Sequence, residues 1–153
     1  MSSLNFTNIL TQTVDELSES TSYKGLIRQH TDGNPLPSGA MLCEIVELAR
    51  AILFPGYFGN ATLNSRTINY HIGVNVERLM ELLTQQILAG LCSVEENSNQ
   101  AYGEELRLKA ANLSAQFIAQ LPQIRKLLAT DVEAAYNGDL AATSYGEEIS
   151  CYP

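Results

Sequence analysis

Apolar residues recur every three or four positions from residue 64 to residue 91, and no Pro interrupts them. This period predicts an amphipathic α-helix of roughly 40 Å at about 1.5 Å per residue. One apolar stripe consists of Ile68, Ile72, Val76, Leu79, Leu83, Ile87 and Leu91, and Val74, Leu82 and Leu88 widen it. A single neighbouring helix cannot cover so wide a surface. The segment is therefore predicted to be the central helix of a bundle.

The rest of the chain shows the same helical period and no convincing strand. Further helices are predicted over about 3–20, after a Ser38 N-cap, up to about Leu121, and from Pro122 to Tyr136. Asn137 and Gly138 provide a stop signal for the last of these, and 139–153 has no clear period. The fold class is predicted to be all-α, a bundle of about five or more helices.

The segment 54–59, Phe-Pro-Gly-Tyr-Phe-Gly, breaks this periodicity. Pro55 disfavours a helical conformation at Phe54, and the two glycines permit a sharp reversal of the chain. Three aromatic residues inside the break predict a packed corner rather than a loose linker. A ligand pocket lined by these rings is the alternative interpretation.

Size and charge narrow the class of protein. The 153 residues are enough for one ordinary core, and 45% of them are hydrophobic. A net charge of −8 argues against a broad nucleic-acid footprint, so no nucleic-acid partner is expected. The apolar runs are far shorter than the roughly 20 residues that span a bilayer, and 1–10 lacks the features of a secretory signal. We therefore expect no membrane association and a cytoplasmic location.

Catalytic and metal-binding signatures are scarce. The sequence has no P-loop, GxGxxG, GxSxG or HExxH motif, and neither His30 nor His71 has a second histidine three or four positions away. We interpret both histidines as structural or solvent-facing, and Glu147 and Glu148 as solvated acids. Three widely spaced cysteines without a CxxC motif are interpreted as buried or incidental thiols: Cys43, Cys92 and Cys151. No metal site is predicted.

Several rare strings occur in an order that resembles the N-terminal helical domain of serine O-acetyltransferases. They are ILFPGYF at 52–58, YHIGVN at 70–75, QQILAGLC at 85–92, LPQIRKLL at 121–128 and DVEAAYNGD at 131–139. The resemblance covers about 36–153, and the first 35 residues add little to it. It implies an all-α domain that precedes a catalytic domain.

The resemblance also implies a reaction for the complete enzyme. Members of the family transfer the acetyl group of acetyl-CoA to L-serine, giving O-acetyl-L-serine and CoA for cysteine biosynthesis. A histidine paired with a carboxylate acts as general base within a left-handed β-helix of hexapeptide repeats. No such repeat array occurs in 1–153. We therefore expect no catalytic residue in this chain, no acetyl transfer by the chain alone and no cofactor, since acetyl-CoA is a substrate.

One substrate-binding residue is carried over from the family. In its members an aspartate eight positions after that of a D-[IV]-x-A helix helps to hold serine, and here Asp131 starts that helix and Asp139 occupies the matching position. A carboxylate there can pair with the ammonium group of serine and orient its hydroxyl. The family usually places Pro after this aspartate, whereas this chain has Leu140. Without the family, Asp139 is an ordinary polar residue after a helix.

These observations predict an N-terminal helix and polar connection at 1–35, and a helical domain of the serine acetyltransferase type at 36–153 without the β-helix domain. The resemblance implies a homo-oligomer, a trimer or hexamer in the complete enzyme, and leaves a dimer open for this chain alone. It also implies an O-acetylserine sulfhydrylase partner, bound through the missing C-terminal part. The alternative is a free-standing helical protein–protein interaction module without enzymatic activity. The gene beyond the Pro153 codon discriminates between the two, because it holds either hexapeptide repeats or a stop codon.

Overall fold

The computed structural model describes residues 6–23, 36–59, 62–94 and 103–151, and within them the protein is all-α, as predicted. The five helices are α1 (Phe6–Ser18), α2 (Gly39–Leu53), α3 (Ile68–Val94), α4 (Glu104–Gly138) and α5 (Tyr145–Cys151). A short 3₁₀ helix spans Ser20–Tyr23. None of the helices in these ranges is long and apolar enough to cross a membrane.

The chain divides into two compact units, Met1–Gly33 and Asn34–Pro153. The first unit contains α1, which confirms the described part of the helix predicted over 3–20, and residues 3–5 lie outside the described residues. Within α1 the Thr11 hydroxyl donates to the Thr7 carbonyl at 2.9 Å, and the Gln12 amide donates to Glu16 at 2.8 Å. The second unit contains the other four helices and is described by itself below.

The core of the second unit lies where α2, α3 and α4 meet. Its buried side chains come from all three helices, and they are Ile45, Ile52, Leu79, Leu82 and Leu121. On α4 the buried positions are Ala110, Ser114 and Leu121, whereas Phe117 is 41% exposed. Ala110 and Ser114 are small, so α4 can approach its neighbours closely at these two positions.

The predicted helix boundary at Pro122 is wrong, because α4 runs without interruption for 35 residues through that proline. Pro122 lacks the N–H that would bond to the carbonyl of Ile118, which costs about 3 kcal/mol in a helix interior. Ile118 and Ile124 on either side of the proline nevertheless pack against the core that contains Leu121. Burial of both halves against the same core outweighs the local penalty, at about 1.5–3 kcal/mol for each fully buried large side chain.

Both ends of α2 are fixed by side chains. The predicted N-cap is confirmed, since the Ser38 hydroxyl accepts the Met41 N–H at 3.3 Å. The side chain of Gln86 on α3 accepts the Ser38 N–H at 2.8 Å, which ties the start of α2 to the middle of the bundle. At the other end, the Arg125 guanidinium donates to the carbonyl of Ile52, one of the last four carbonyls that an α-helix leaves unpaired.

The helix α5 was not predicted, because seven residues are too few to show a helical period. Its start follows from capping chemistry. The Ser144 hydroxyl accepts the Glu147 N–H at 3.2 Å, while the Glu147 carboxylate accepts the backbone N–H of Thr143 at 2.9 Å and its hydroxyl at 2.7 Å. This reciprocal pattern closely resembles a capping box, whose Ser-x-x-Glu spacing occurs at 144–147.

Candidate functional site

The aromatic break at 54–59 forms a packed corner, as predicted. The rings of Phe54 and Phe58 meet edge to face with centroids 6.4 Å apart. Gly56 and Gly59 adopt φ values of +91° and +86°, a region that side chains with a Cβ rarely occupy. The guanidinium carbon of Arg50 lies 4.2 Å from the centroid of the Phe58 ring. The Phe58 ring of the corner therefore lies against a cationic side chain from the last turn of α2.

A cavity of about 480 Å³ lies next to this corner, between α2, α4 and α5. Its wall is mainly apolar and includes Val46, Leu53, Phe54, Phe58, Leu128 and Ile149. Three charged residues also line it: Arg50 from α2, Asp131 from α4 and Glu148 from α5. A concave apolar site with a few converging polar groups has the general form of a small-molecule pocket. The alternative interpretation of the aromatic corner thus has a structural counterpart.

Two atoms of charged side chains in the cavity wall are buried without a hydrogen-bond partner. Glu148 is only 3% exposed, so its prediction as a solvated acid is wrong, and its Oε1 atom has no partner. The Nε atom of Arg50 is likewise buried and unpartnered. Another nitrogen of the same guanidinium forms an ion pair with Glu47 at 3.4 Å. No signal in the sequence indicated Arg50, and the sequence could not predict the burial of Glu148, because that burial depends on the packing of α5.

Asp139 lies at the C-terminal cap of α4 and is exposed. Its N–H donates to the carbonyl of Ala135 at 3.0 Å, and its Oδ1 atom accepts the N–H of Ala141 at 2.8 Å. Its carbonyl accepts the N–H of Ala142 at 3.2 Å, which closes a β-turn with Leu140 at the second position. The turn that carries Asp139 therefore forms without proline. Asp131, eight residues earlier, lines the cavity, whereas Asp139 does not.

Aromatic contacts connect this turn to the rest of the site. The ring centroids of Tyr136 on α4 and Tyr145 on α5 are 4.5 Å apart. Gly146 lies so close to the aromatic corner that a Cβ atom on it would come within 3.1 Å of the Tyr57 ring. The candidate site thus has two parts, the exposed Asp139 turn and the cavity beside α5. The turn connects α4 to α5, and both helices line the cavity.

The other candidate residues of the sequence are the two histidines and the three cysteines. The His71 ring bonds to the Asn75 side chain at 3.0 Å, consistent with its interpretation as a structural residue, and His30 lies outside the described residues. Cys43 and Cys151 are exposed and Cys92 is buried. In the described ranges no three His, Cys, Asp or Glu side chains are arranged to hold a metal ion.

Comparison with known proteins supplies the family context. No protein-family model matches the chain. A curated relative from Synechococcus elongatus (strain ATCC 33912 / PCC 7942 / FACHB-805), "Serine acetyltransferase, plasmid", is 39% identical over 121 residues. The chain is related to the serine acetyltransferases. The match covers 78% of this chain but only 38% of the relative's own length. It confirms the resemblance that the rare strings indicate.

Proposed function

We propose that this chain is the helical N-terminal domain of a serine O-acetyltransferase, with assembly as its own task and no acetyl transfer by itself. The observation that supports this most strongly is the 39% identity to a serine acetyltransferase over 121 residues. The described residues supply helices and a substrate-contact candidate, but no histidine–carboxylate pair of the kind a serine hydroxyl requires as general base.

In the complete enzyme, Asp139 contributes to binding of the serine substrate. The exposed carboxylate and its fixed position support this role, since the end of α4 and the turn at 139–142 each hold its backbone by one hydrogen bond, and the Ala141 N–H holds its side chain by a third. A carboxylate fixed in this way can pair with the serine ammonium group without losing further conformational freedom on binding.

The helical domain itself associates with further copies of the chain. Exposed apolar side chains on α2 and α4 support this proposal, because water-exposed side chains of this kind gain free energy when another copy covers them. They include Leu42, Val46, Leu113 and Phe117, each between 40% and 54% exposed. We propose a homo-oligomer, with a dimer for this chain alone and a trimer or hexamer for the complete enzyme.

Activity measurements test the catalytic part of the proposal. The purified 153-residue chain, given L-serine and acetyl-CoA, should release no CoA thiol above background. A chimera in which this chain replaces the aligned segment of the cyanobacterial relative should form O-acetylserine. In that chimera, Asp139→Asn should raise KM for serine about tenfold or more, since the amide retains the turn's acceptor but loses the charge. Glu133→Gln, an exposed α4 residue, is the matched control. Turnover by the chain alone, or an unchanged KM in Asp139→Asn, would contradict the proposal.

Light scattering after size exclusion tests assembly separately. The wild-type chain should elute as an oligomer, and Phe117→Glu should shift it toward the monomer, whereas Gln116→Glu on the same helix should not. A strictly monomeric wild-type chain would rule out self-association through this domain.

Hexapeptide repeats in the gene beyond the Pro153 codon would support the enzyme-domain proposal, and a stop codon there would support a free-standing interaction module instead.

A further inference from the structure

We propose that Tyr57 is a positioning residue for the serine substrate, because its ring holds α5 and thereby the turn that carries Asp139. The inference rests on the serine-binding role proposed for Asp139, and it gives Tyr57 no contact with the substrate. Residues 139–144 connect the end of α4 to the start of α5. The position of so short a connection depends on the helices at both of its ends. A contact that holds α5 therefore also contributes to the position of the Asp139 carboxylate.

The helix α5 needs contacts with other elements to keep its place. It has seven residues, and isolated helices shorter than about 12–15 residues are marginal in water. Tyr145 in its first turn contacts Tyr136 on α4, with ring centroids 4.5 Å apart. This contact ties α5 to the helix that precedes the turn. A second contact ties α5 to the aromatic corner after α2.

Tyr57 and Gly146 form this second contact. A Cβ atom on Gly146 would lie 3.1 Å from Cε1 of Tyr57 and 3.7 Å from its hydroxyl oxygen. The ring therefore lies against the backbone of α5, where the absence of a side chain leaves room for it. The corner places Tyr57, since its N–H donates to the carbonyl of Phe54 at 3.2 Å and the preceding Gly56 has a φ of +91°. Tyr57 is 51% exposed, so it is not part of the buried core.

Consecutive residues of α5 thus contact two different elements, α4 through Tyr145 and the corner through Gly146. Without the Tyr57 ring, α5 can tilt about the remaining aromatic contact. The tilt would pull on 139–144, where the N–H of Ala141 donates to Oδ1 of Asp139 at 2.8 Å. Substrate-positioning groups are sensitive to such shifts, since a misplacement of about 1 Å can cost about 100-fold in rate.

Hydrogen exchange tests the positioning of the turn on the full 153-residue chain. Tyr57→Ala should speed exchange of the Ala141 and Ala142 amides about threefold or more, because both N–H groups are bonded to Asp139. Tyr57→Phe should leave exchange unchanged, since it keeps the ring. Tyr70→Ala is the matched control, because Tyr70 lies on α3 and is 78% exposed. Unchanged exchange of both amides in Tyr57→Ala would overturn the proposal.

Kinetics of the chimera with the cyanobacterial relative test the effect on serine. Tyr57→Ala should raise KM for serine about threefold to tenfold. Its kcat and its KM for acetyl-CoA should change by less than about twofold, because Asp139 is proposed to contact serine alone. Tyr57→Phe should behave like the unmodified chimera. A loss of stability alone would reduce the amount of active enzyme and leave both KM values unchanged. An equal rise in both KM values would overturn the positioning role.

Gly146→Ala disturbs the same contact from the side of α5, since its methyl group would lie 3.1 Å from the Tyr57 ring. This variant should raise KM for serine in the chimera about threefold. Added to Tyr57→Ala it should have no further effect, because the ring that it displaces is already absent. If Tyr57→Ala fails to fold, Gly146→Ala decides the question through its KM for serine. Effects on KM that multiply in the double variant would overturn the proposal.

The Asp139→Asn chimera separates failure of this inference from failure of the proposed function. An unchanged KM for serine in Asp139→Asn would remove the serine-binding role itself, and the positioning role of Tyr57 with it. A raised KM in Asp139→Asn together with an unchanged KM in Tyr57→Ala would overturn the role of Tyr57 alone.

Discussion

The rings of Tyr136 and Tyr145 pack with centroids 4.5 Å apart and an interplanar angle of 43°. The contact joins the last turn of α4 to the first turn of α5 across the short loop that carries Asp139. This aromatic pair therefore connects the two helices that flank the Asp139 turn, and α5 carries Glu148 of the cavity wall.

Replacing one ring of this pair should release α5. We expect Tyr136→Ala to lower the free energy of unfolding by about 1 kcal/mol beyond the loss of buried area, and to speed hydrogen exchange in α5. Tyr70→Ala is the matched control, because Tyr70 is 78% exposed and should change stability by less than about 0.5 kcal/mol. Urea unfolding measures both variants, and unchanged α5 exchange in Tyr136→Ala would contradict this role of the pair.

Leu140→Pro should stabilise the Asp139 turn. Leu140 occupies the second position of the β-turn at 139–142, where proline is favoured, and Asp139 before it has φ −101° and ψ 106°, a conformation that a following proline permits. We expect a gain of about 0.4–1 kcal/mol in the free energy of unfolding, chiefly because the unfolded chain loses freedom. Leu140→Ala, which removes the exposed side chain without fixing φ, should be nearly neutral. A loss of stability in Leu140→Pro would show that the turn needs a different φ.

Arg125→Met should destabilise the end of α2. The half-buried Arg125 guanidinium donates to the carbonyl of Ile52, and methionine fills similar space without any donor. The carbonyl left without its partner should cost about 1–3 kcal/mol in thermal or urea unfolding. Lys126→Met, the exposed neighbour on α4, should stay within about 0.5 kcal/mol of wild type. Equal stability of the two variants would show that water replaces the bond.

The Glu147 cap should make α5 sensitive to acid. Hydrogen bonds from the Thr143 hydroxyl and then the Thr143 backbone N–H lower the pKa of Glu147 below its usual value. A carboxyl group whose pKa is lower in the folded state stabilises the fold fully above its unfolded pKa, about 4.3, and loses that contribution as the pH falls through the folded value. The difference in melting temperature between wild type and Glu147→Gln should therefore shrink as the pH drops from 6 to about 3. A difference that is constant over this range would contradict the cap.

Two glycine substitutions should have opposite effects. Gly73 lies inside α3 with open space where a Cβ atom would stand, so Gly73→Ala should raise the free energy of unfolding by about 0.5–1 kcal/mol. Gly56 has open space too, but its φ of +91° strains any residue with a side chain. Gly56→Ala should therefore lower the free energy of unfolding by about 1–2 kcal/mol. Equal shifts in the two variants would show that backbone conformation is not the cause.

Local chemistry made part of the fold predictable. The helical period identified α3, and Ser38 and the Phe54–Phe58 corner marked the ends of α2, because caps and breaks depend on adjacent residues. The period did not predict that α4 continues through Pro122, since that outcome depends on what the flanking residues pack against. The short α5 was not predicted for a related reason. Its capping residues indicate a helix start only when the chain is known to turn at Asp139.

The candidate site divides in the same way. Asp139 could be located because a string of residues around it resembles a family, and its place in a turn follows from Gly138 and its own side chain. Glu148 could not, because a glutamate next to another glutamate has the pattern of a solvated acid. Only the docking of α5 beside α2 removes it from water and sets it in the same cavity wall as Arg50.

The sequence by itself determined the all-α class, the period of the long helix and the relationship to serine acetyltransferases, since all three reside in the order of residues along the chain. Only the tertiary structure decided which apolar side chains form the core, that Pro122 lies within one helix, and that Arg50 and Glu148 share a cavity. The physical reason is burial. Whether a buried charge or a proline within a helix is tolerated depends on the free energy of contacts between residues that are distant in sequence.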